Sequence, residues 1–171
     1  DASNSINPST FTCAVESQAN AVSSPQSLVT STNVCIEFSV VIDYYTRQTF
    51  NSDLEATNWA LAIFAGVSQL YEAQTNASIL VDNMVIWNVT DPYNSFTSTS
   101  DVLNELTDYW FNNNSSINRD LVHLLSKRPL GGGVAWLNGL CSNSYGYAVS
   151  ASLNNDTTYN FPNPTYTWNL M

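Results

Sequence analysis

The stretch Val34-Cys-Ile-Glu-Phe-Ser-Val-Val-Ile-Asp43 decides the fold, because it alternates between two kinds of face. Side chains in a β-strand point to opposite sides with a period of two, and β-branched and aromatic residues favour strands. We therefore predict a strand over residues 34–45. One face carries four large apolar side chains, and the other carries four smaller or more polar ones. These are Ile36, Phe38, Val40 and Ile42 on the first face, and Glu37, Ser39, Val41 and Asp43 on the second.

A long helix is predicted to follow this strand. Asn51-Ser-Asp supplies side-chain oxygens that can accept hydrogen bonds from the first free N–H groups of a helix over Leu54–Glu72. Residues that recur at a period of 3.6 form one stripe of a helix, and we expect this stripe to pack on a sheet. Its members are Leu54, Asn58, Leu61, Phe64, Ala65 and Ser68.

Strands and helices alternate along the rest of the sequence, which favours a largely parallel sheet with crossover helices. The remaining helix is expected at Ser100–Phe111, with Ser100 or Asp101 as its cap. A helix is also expected to begin near Thr165 or Thr167. The remaining strands are predicted at Ile79–Trp87 and Leu121–Leu125, at an edge strand over Val134–Leu137 that is entered through glycines, and at Tyr145–Ala151.

Composition places the chain among single-domain extracellular proteins. Its 171 residues are 44% hydrophobic, which is enough for one core, and only 11% charged. A net charge of -10 repels phosphates and anionic lipid headgroups, so neither nucleic acid nor a membrane is an expected partner. We expect residues 1–33, rich in Ser, Thr and Asn, to be a lead-in or pro-segment remnant before a unit over 34–171. Because the sequence begins at Asp1 without a Met, we expect an N-terminus that has been processed or trimmed.

Acceptor sequons for N-glycans support a secreted protein. Together with the acidic composition, they favour a secretory route. The five sequons begin at Asn76, Asn88, Asn113, Asn114 and Asn155.

Three segments resemble reprolysin-like (adamalysin) metzincins in their order and spacing. They are Val34–Asp43 as the opening strand, Asn118-Arg-Asp-Leu-Val-His-Leu-Leu125 as a later strand, and Gly132-Gly-Val-Ala-Trp-Leu-Asn-Gly-Leu-Cys141 as the edge strand and the cysteine after it. The resemblance implies an α/β fold with a twisted mixed sheet. That sheet would be mostly parallel with one antiparallel edge strand, and two long helices would flank it.

Trp168-Asn-Leu-Met171 resembles the segment that precedes the zinc-binding helix in that family. This helix carries H-E-x-x-H-x-x-G-x-x-H, in which the His residues bind zinc and the Glu is the general base. This sequence ends about where the signature should begin, so we expect 34–171 to be the upper subdomain of a catalytic domain, incomplete at its C-terminus. Zinc is expected in the complete domain, whereas no catalytic residue and no zinc ligand is expected in this chain. The pocket that selects the cleavage site would lie in the missing half.

The resemblance assigns substrate binding to the edge strand. An extended peptide would add to the backbone N–H and C=O groups of Gly133, Val134, Ala135 and Trp136. On the residues alone, a glycine-rich turn before an ordinary edge strand is the favoured interpretation, and only the resemblance favours peptide binding.

A structural calcium site is also implied by the resemblance. Its carboxylates would fall on Glu37 and Asp120, and other ligands would come partly from the missing half. Two solvated acids at one end of a sheet are the other interpretation.

Three cysteines leave one without an internal partner. The resemblance pairs Cys141 with a downstream cysteine that this sequence lacks. For a secreted chain we favour a disulfide between Cys13 and Cys35. Alternatively, Thr12-Cys-Ala-Val-Glu16 resembles the pro-segment thiol that keeps these enzymes latent by binding zinc.

The only histidine, His123, sits in an apolar run and is interpreted as structural rather than catalytic. Trp87, Trp110 and Trp136 are interpreted as packing residues rather than a sugar-binding platform.

Two classes of function follow. The first is the substrate-binding part of a secreted zinc endopeptidase, whose partner is a peptide or the missing C-terminal half. The second is a non-catalytic extracellular structural or adhesive glycoprotein module, for instance in an extracellular assembly.

Overall fold

The computed structural model describes residues 34–153, which form one mixed sheet with helices on both faces. The strands are β1 (Val34–Ile42), β2 (Ala77–Ile86), β3 (Leu121–Leu125), β4 (Gly133–Ala135) and β5 (Tyr147–Ser150). The helices are α1 (Tyr44–Arg47), α2 (Asp53–Thr75) and α3 (Thr99–Asn113). The helix expected near Thr165 lies outside the described residues.

The sheet runs in the order β2-β1-β3-β5-β4. β1 pairs parallel with β2 and with β3, and β3 pairs parallel with β5. At one edge of the sheet, β4 pairs antiparallel with β5. Two long helices, of 23 and 15 residues, connect the first three strands. The predicted fold, a mostly parallel sheet with one antiparallel edge strand and two long helices, is confirmed.

Each face of the sheet has its own apolar core. Phe38, Val40 and Ile42 of β1 pack with the buried side of α2. Val41 of the same strand packs on the opposite face with the buried side of α3. The alternation that predicts β1 from sequence therefore also divides the molecule into two layers of core.

The strand predicted over 34–45 is too long at its C-terminal end. β1 stops at Ile42 because Asp43 caps α1, its Oδ1 accepting a hydrogen bond from the Thr46 N–H at 2.8 Å. Burial raises the pKa of Asp43, and hydrogen bonds from Ser126 and Thr46 oppose that shift. The local side-chain cap thus overrides the apolar pattern of the sequence.

The predicted packing stripe of α2 is wrong at four of its six positions. Phe64 is buried, and the Ser68 Oγ accepts a hydrogen bond from the Ile79 N–H of β2. Leu54 and Leu61 are 68% and 42% exposed, and Asn58 and Ala65 are exposed as well. The helix carries apolar residues around most of its circumference, so periodicity alone does not select a face. The buried face that packs on the sheet combines large or branched side chains with two alanines: Ala56, Trp59, Ala60, Ile63, Phe64 and Val67.

Side-chain caps set where the long helices begin. Ser52, within the predicted Asn51–Asp53 signal, accepts a hydrogen bond from the Glu55 N–H at 3.1 Å. The cap of α3 is Ser98, which accepts from the Asp101 N–H at 3.2 Å, so the prediction of Ser100 or Asp101 is wrong by two or three residues. In both helices a serine three residues before an acidic residue makes the contact.

His123 is buried and structural, as predicted. Its Nε2 lies 2.9 Å from the Oγ of Ser150, and the rings of Phe38 and Phe64 lie beside it. Burial lowers the pKa of His123 from 6.5 to about 4, since the charged form loses its hydration.

This environment predicts a pH dependence of stability. The folded state resists protonation of His123, so its contribution is fully present above pH 6.5 and is lost as the pH falls toward 4. The loss approaches about 1.4 kcal/mol per pH unit inside that window. Urea unfolding at several pH values, with His123→Gln as the matched variant, measures this slope. An equal slope in the variant would contradict the assignment.

Candidate functional site

The edge strand β4 exposes half of its backbone hydrogen-bonding groups. The Trp136 N–H donates to the Tyr147 carbonyl at 3.2 Å, and the Ala151 N–H donates to the Gly132 carbonyl at 3.0 Å. Bonds to one neighbour alternate along an antiparallel strand, so Val134 also faces β5. The N–H and C=O groups of Gly133 and Ala135 therefore point away from β5, along the outer edge of the sheet.

Of the four residues predicted to bind a peptide, two present outward backbone groups. Both N–H groups and both carbonyls of Gly133 and Ala135 lie at this edge, and both residues are exposed. The Trp136 N–H bonds to β5, so it is not available to a peptide at the outer edge. Only the side chain of Trp136 could contact a peptide there. The sequence predicts the edge strand, but which of its backbone groups point outward follows only from the pairing register of β4 with β5.

Two glycines form the turn that leads into β4. Gly131 and Gly132 have φ angles of 95° and 106°, a region that residues with a Cβ rarely adopt. Nothing lies within 4 Å of the Cβ that an alanine would add at either position, so their requirement is conformational rather than steric.

The loop from Trp136 to Gly146 forms a small aromatic surface beside β4. The indole Nε1 of Trp136 donates to the Oγ1 of Thr107 on α3 at 2.9 Å. The ring of Tyr145 meets the Trp136 ring edge-on, with centroids 6.2 Å apart. Trp136 therefore bridges α3 and the loop, as a packing residue with an exposed remainder.

Two glycines close this loop. A Cβ at Gly139 would lie 2.1 Å from the Tyr145 carbonyl oxygen, and one at Gly146 would lie 2.7 Å from the Ser142 carbonyl oxygen. Both obstacles are backbone atoms, which cannot rotate away. Sequence reasoning missed this pair, although two glycines seven residues apart around Cys141 were the available signal.

The basic residues are engaged within the fold. Arg47 forms an ion pair with Asp53, and Arg119 lies over the rings of Trp110 and Tyr147. The Lys127 ammonium lies 4.3 Å from the centroid of the Phe50 ring. Arg128 donates to the carbonyls of Tyr93, Asn94 and Phe96. These are all four Lys and Arg residues of the chain, so acidic groups dominate the charge of its surface.

The two acids predicted to bind calcium lie together where β1 and β3 run side by side. The Glu37 N–H donates to Asp120 Oδ2 at 2.8 Å, and the Asp120 N–H donates to the Glu37 carbonyl at 3.0 Å. The Cys141 thiol donates to Asp120 Oδ1 at 3.3 Å, and Asn118 Nδ2 donates to Glu37 Oε2. Both oxygens of Asp120 thus already accept protein hydrogen bonds, and calcium binding here stays a prediction.

Cys141 is exposed and has a φ of 59°, an unusual angle for a residue other than glycine. The hydrogen bond to Asp120 raises the pKa of its thiol. No disulfide forms within residues 34–153. Cys13 lies outside that range, so its pairing with Cys35 and its role as a latency thiol both stay predictions.

The sequons occupy different surroundings. Asn76, Asn88 and Asn113 are exposed, Asn114 is half-buried, and Asn155 lies outside the described residues. Asn76 ends α2 with a left-handed φ of 57°. Exposure permits glycan attachment at the first three, and the glycans themselves stay a prediction.

The described residues do not fit a zinc site. Between Val34 and Leu153, no group of three or more His, Cys, Asp or Glu side chains is arranged to hold a metal ion. His123 is buried against Ser150 and two aromatic rings, away from solvent. In this part of the chain, no helix combines the length and apolar character needed to cross a membrane.

A mixed sheet of this order, with two crossover helices and an antiparallel edge strand, defines a metzincin-like α/β unit. The model of metallo-peptidase family M12 (Reprolysin_5) matches residues 31–171. The chain belongs to metallopeptidase family M12. The comparison with curated proteins finds no match.

Two solved structures match parts of this chain, and the first shares its fold. One, described as a chaperone-substrate complex, is 16% identical with a TM-score of 0.51 and covers 68% of this chain and 20% of its own. The other is metalloproteinase-II from Bacteroides fragilis, 13% identical with a TM-score of 0.44, covering 73% of this chain and 38% of its own. The chain therefore spans well under half the length of either structure.

The closely packed loop predicts a sharp steric effect. Gly139→Ala should lower the free energy of unfolding by about 1–3 kcal/mol, because the new methyl group meets backbone. Leu140→Ala, which changes an exposed side chain in the same loop, should change it by less than about 0.5 kcal/mol. Urea denaturation compares the two variants. Equal free energies of unfolding for the two variants would contradict the prediction, because the loop would then accommodate the methyl group without loss of stability.

Proposed function

We propose that this chain is the substrate-holding part of a secreted zinc endopeptidase domain, with β4 as the strand to which an extended peptide adds. The observation that carries the proposal is the outward direction of the backbone groups of Gly133 and Ala135. Membership of family M12 supplies the class of reaction, peptide hydrolysis.

The edge suits a peptide for three reasons. Residues 133 and 135 offer two donors and two acceptors at the spacing of an ordinary strand. Glycine at 133 and alanine at 135 leave the edge uncrowded, so another backbone can approach. The acidic surface favours neutral or basic peptides and disfavours nucleic acid or an anionic membrane as a partner.

Membership of family M12 implies zinc in a full domain, where the metal would activate water for peptide hydrolysis. Residues 34–153 do not provide its ligands, so their contribution is to bind the peptide and fix its direction. Pairing along β4 holds the peptide extended, which orients its carbonyls for attack by a group located elsewhere. The reprolysin branch is part of this proposal.

Secretion is proposed on related grounds. Members of family M12 are typically extracellular, and three exposed sequons are compatible with that location. Calcium held partly by Glu37 and Asp120 would require the Cys141 thiol to give up its contact with Asp120. A disulfide at Cys141 would remove the same thiol proton, which makes the two proposals compatible.

A second candidate partner is a further half-domain. On the face of the sheet opposite α3, β4 and β5 present four small residues, Gly133, Ala135, Ala148 and Ser150, and the first two are exposed. Small side chains allow a helix to approach a sheet closely. A C-terminal half could pack here without covering the outer edge of β4, so both partners could be present together.

Replacement of one outward N–H tests the proposal. Ala135→Pro removes the donor that would pair with a peptide, but no bond to β5. Ala135→Ser keeps the donor at the same exposed position. We expect binding of a labelled, extended octapeptide, followed by fluorescence anisotropy, to weaken about tenfold in the proline variant, which corresponds to one lost hydrogen bond.

Binding in the serine variant should match the parent chain. Equal binding by the proline and serine variants would remove β4 as the docking strand. It would favour the non-catalytic structural or adhesive module, whose partners need not be extended peptides.

A further inference from the structure

We propose that Trp136 and Tyr145 form a subsite that selects an aromatic side chain in the bound peptide, at one defined position relative to Ala135. This inference rests on the proposed function, because it requires a peptide on the edge of β4. It adds a specificity determinant within the described part of the chain.

Three contacts hold Trp136, two of them through its ring. Its Nε1 is bonded to Thr107 of α3, its backbone N–H is bonded to Tyr147 of β5, and the Tyr145 ring contacts it edge-on. The residue nevertheless remains 36% exposed, and Tyr145 is 56% exposed. A rigid, partly exposed aromatic pair loses little side-chain entropy when a further ring packs on it.

The direction of this surface follows from the pleat. Val134 packs into the core beneath α3, and Trp136, two residues later, reaches Thr107 on the same helix. Both side chains therefore lie on the α3 face of the sheet. A peptide strand added at the edge would place every second side chain on this face too.

The hydrogen-bond alternation then identifies which peptide residue meets Trp136. In an antiparallel addition, one peptide residue exchanges both backbone bonds with Ala135, and its side chain lies on the face away from α3. The residue immediately before it stands opposite Trp136 in a pair without backbone hydrogen bonds. Side chains in such pairs approach each other most closely, and aromatic pairs there are favourable.

An aromatic peptide side chain is the occupant that this surface favours. The aromatic pair is continuous with the unpaired backbone groups of Gly133 and Ala135, so a peptide held by those groups passes beside it. Phe111, exposed and one helical turn after Thr107, extends the apolar surface along α3. Neither ring of the pair carries a charge, so the subsite selects by shape and burial.

Two octapeptides of Ser and Thr test this, one with a single central Phe and one with Ser in its place. With the full chain, the Phe peptide should bind about three- to fivefold more tightly, the range of a favourable cross-strand pair. N-methylation of the residue after Phe should block binding, because that N–H faces the Ala135 carbonyl. N-methylation of Phe itself should be tolerated, because its N–H points away from β4.

Substitutions in the chain then identify the residues on which the preference for Phe depends. Trp136→Ala should reduce the Phe-to-Ser ratio to below about twofold, and Tyr145→Ala, a change at an exposed ring, should reduce it partway. Leu61→Ser, at an exposed position of α2 on the other face, is the control and should leave the ratio unchanged. Near-ultraviolet circular dichroism verifies folding, and Tyr145→Ala decides the outcome if Trp136→Ala does not fold.

The outcomes separate the two proposals. A Phe preference that depends on both rings, with the stated N-methyl pattern, supports the subsite. Position-dependent N-methyl effects without a Phe preference, or with a preference that survives both variants, overturn the subsite and leave edge addition intact. Equal effects of the two N-methyl groups overturn the register on which the subsite depends. Insensitivity to N-methylation at every position overturns edge addition, and the subsite falls with it.

Discussion

The antiparallel pairing of β4 with β5 is the interaction on which the functional arrangement depends. Two backbone bonds, from Trp136 to Tyr147 and from Ala151 to Gly132, fix the register of a strand only three residues long. That register sends the groups of Val134 inward and those of Gly133 and Ala135 outward. A slip by one residue would exchange the two sets and would also turn Trp136 away from α3.

The rest of the fold serves to hold β5 in place. β5 lies beside β3, which lies beside β1, and β1 is buried on both faces between the cores under α2 and α3. Two basic residues stabilise this arrangement of strands through contacts within the fold. Arg119 lies over the ring of Tyr147 in β5, and Arg128 ties the end of β3 to the loop after β2. The remaining surface is strongly acidic, so it repels polyanions.

Sequence patterns recovered the order of the strands and of the two long helices, because β1 alternates with a period of two, the other strands are short apolar runs and a capping signal lies near the start of each long helix. They failed where several faces were equally apolar, as in α2, where Leu54 and Leu61 fit the helical period but remain exposed. They also failed where one side chain ended an element, as Asp43 does for β1. At the site, the glycines and Trp136 were visible in sequence, whereas the outward direction of Gly133 and Ala135 required the register. The contact between Thr107 and Trp136 joins residues 29 apart, and no local pattern signals it.

Amide hydrogen exchange at β4 is the most direct measurement of this arrangement. In the chain without peptide, the Val134 amide should be protected, while the Gly133 and Ala135 amides exchange rapidly because nothing in the sheet accepts from them. Addition of an extended peptide should slow exchange at Gly133 and Ala135 and leave Val134 nearly unchanged. Protection of Ala135 before peptide is added, or no change at either residue afterwards, would contradict the role of β4 as the docking edge.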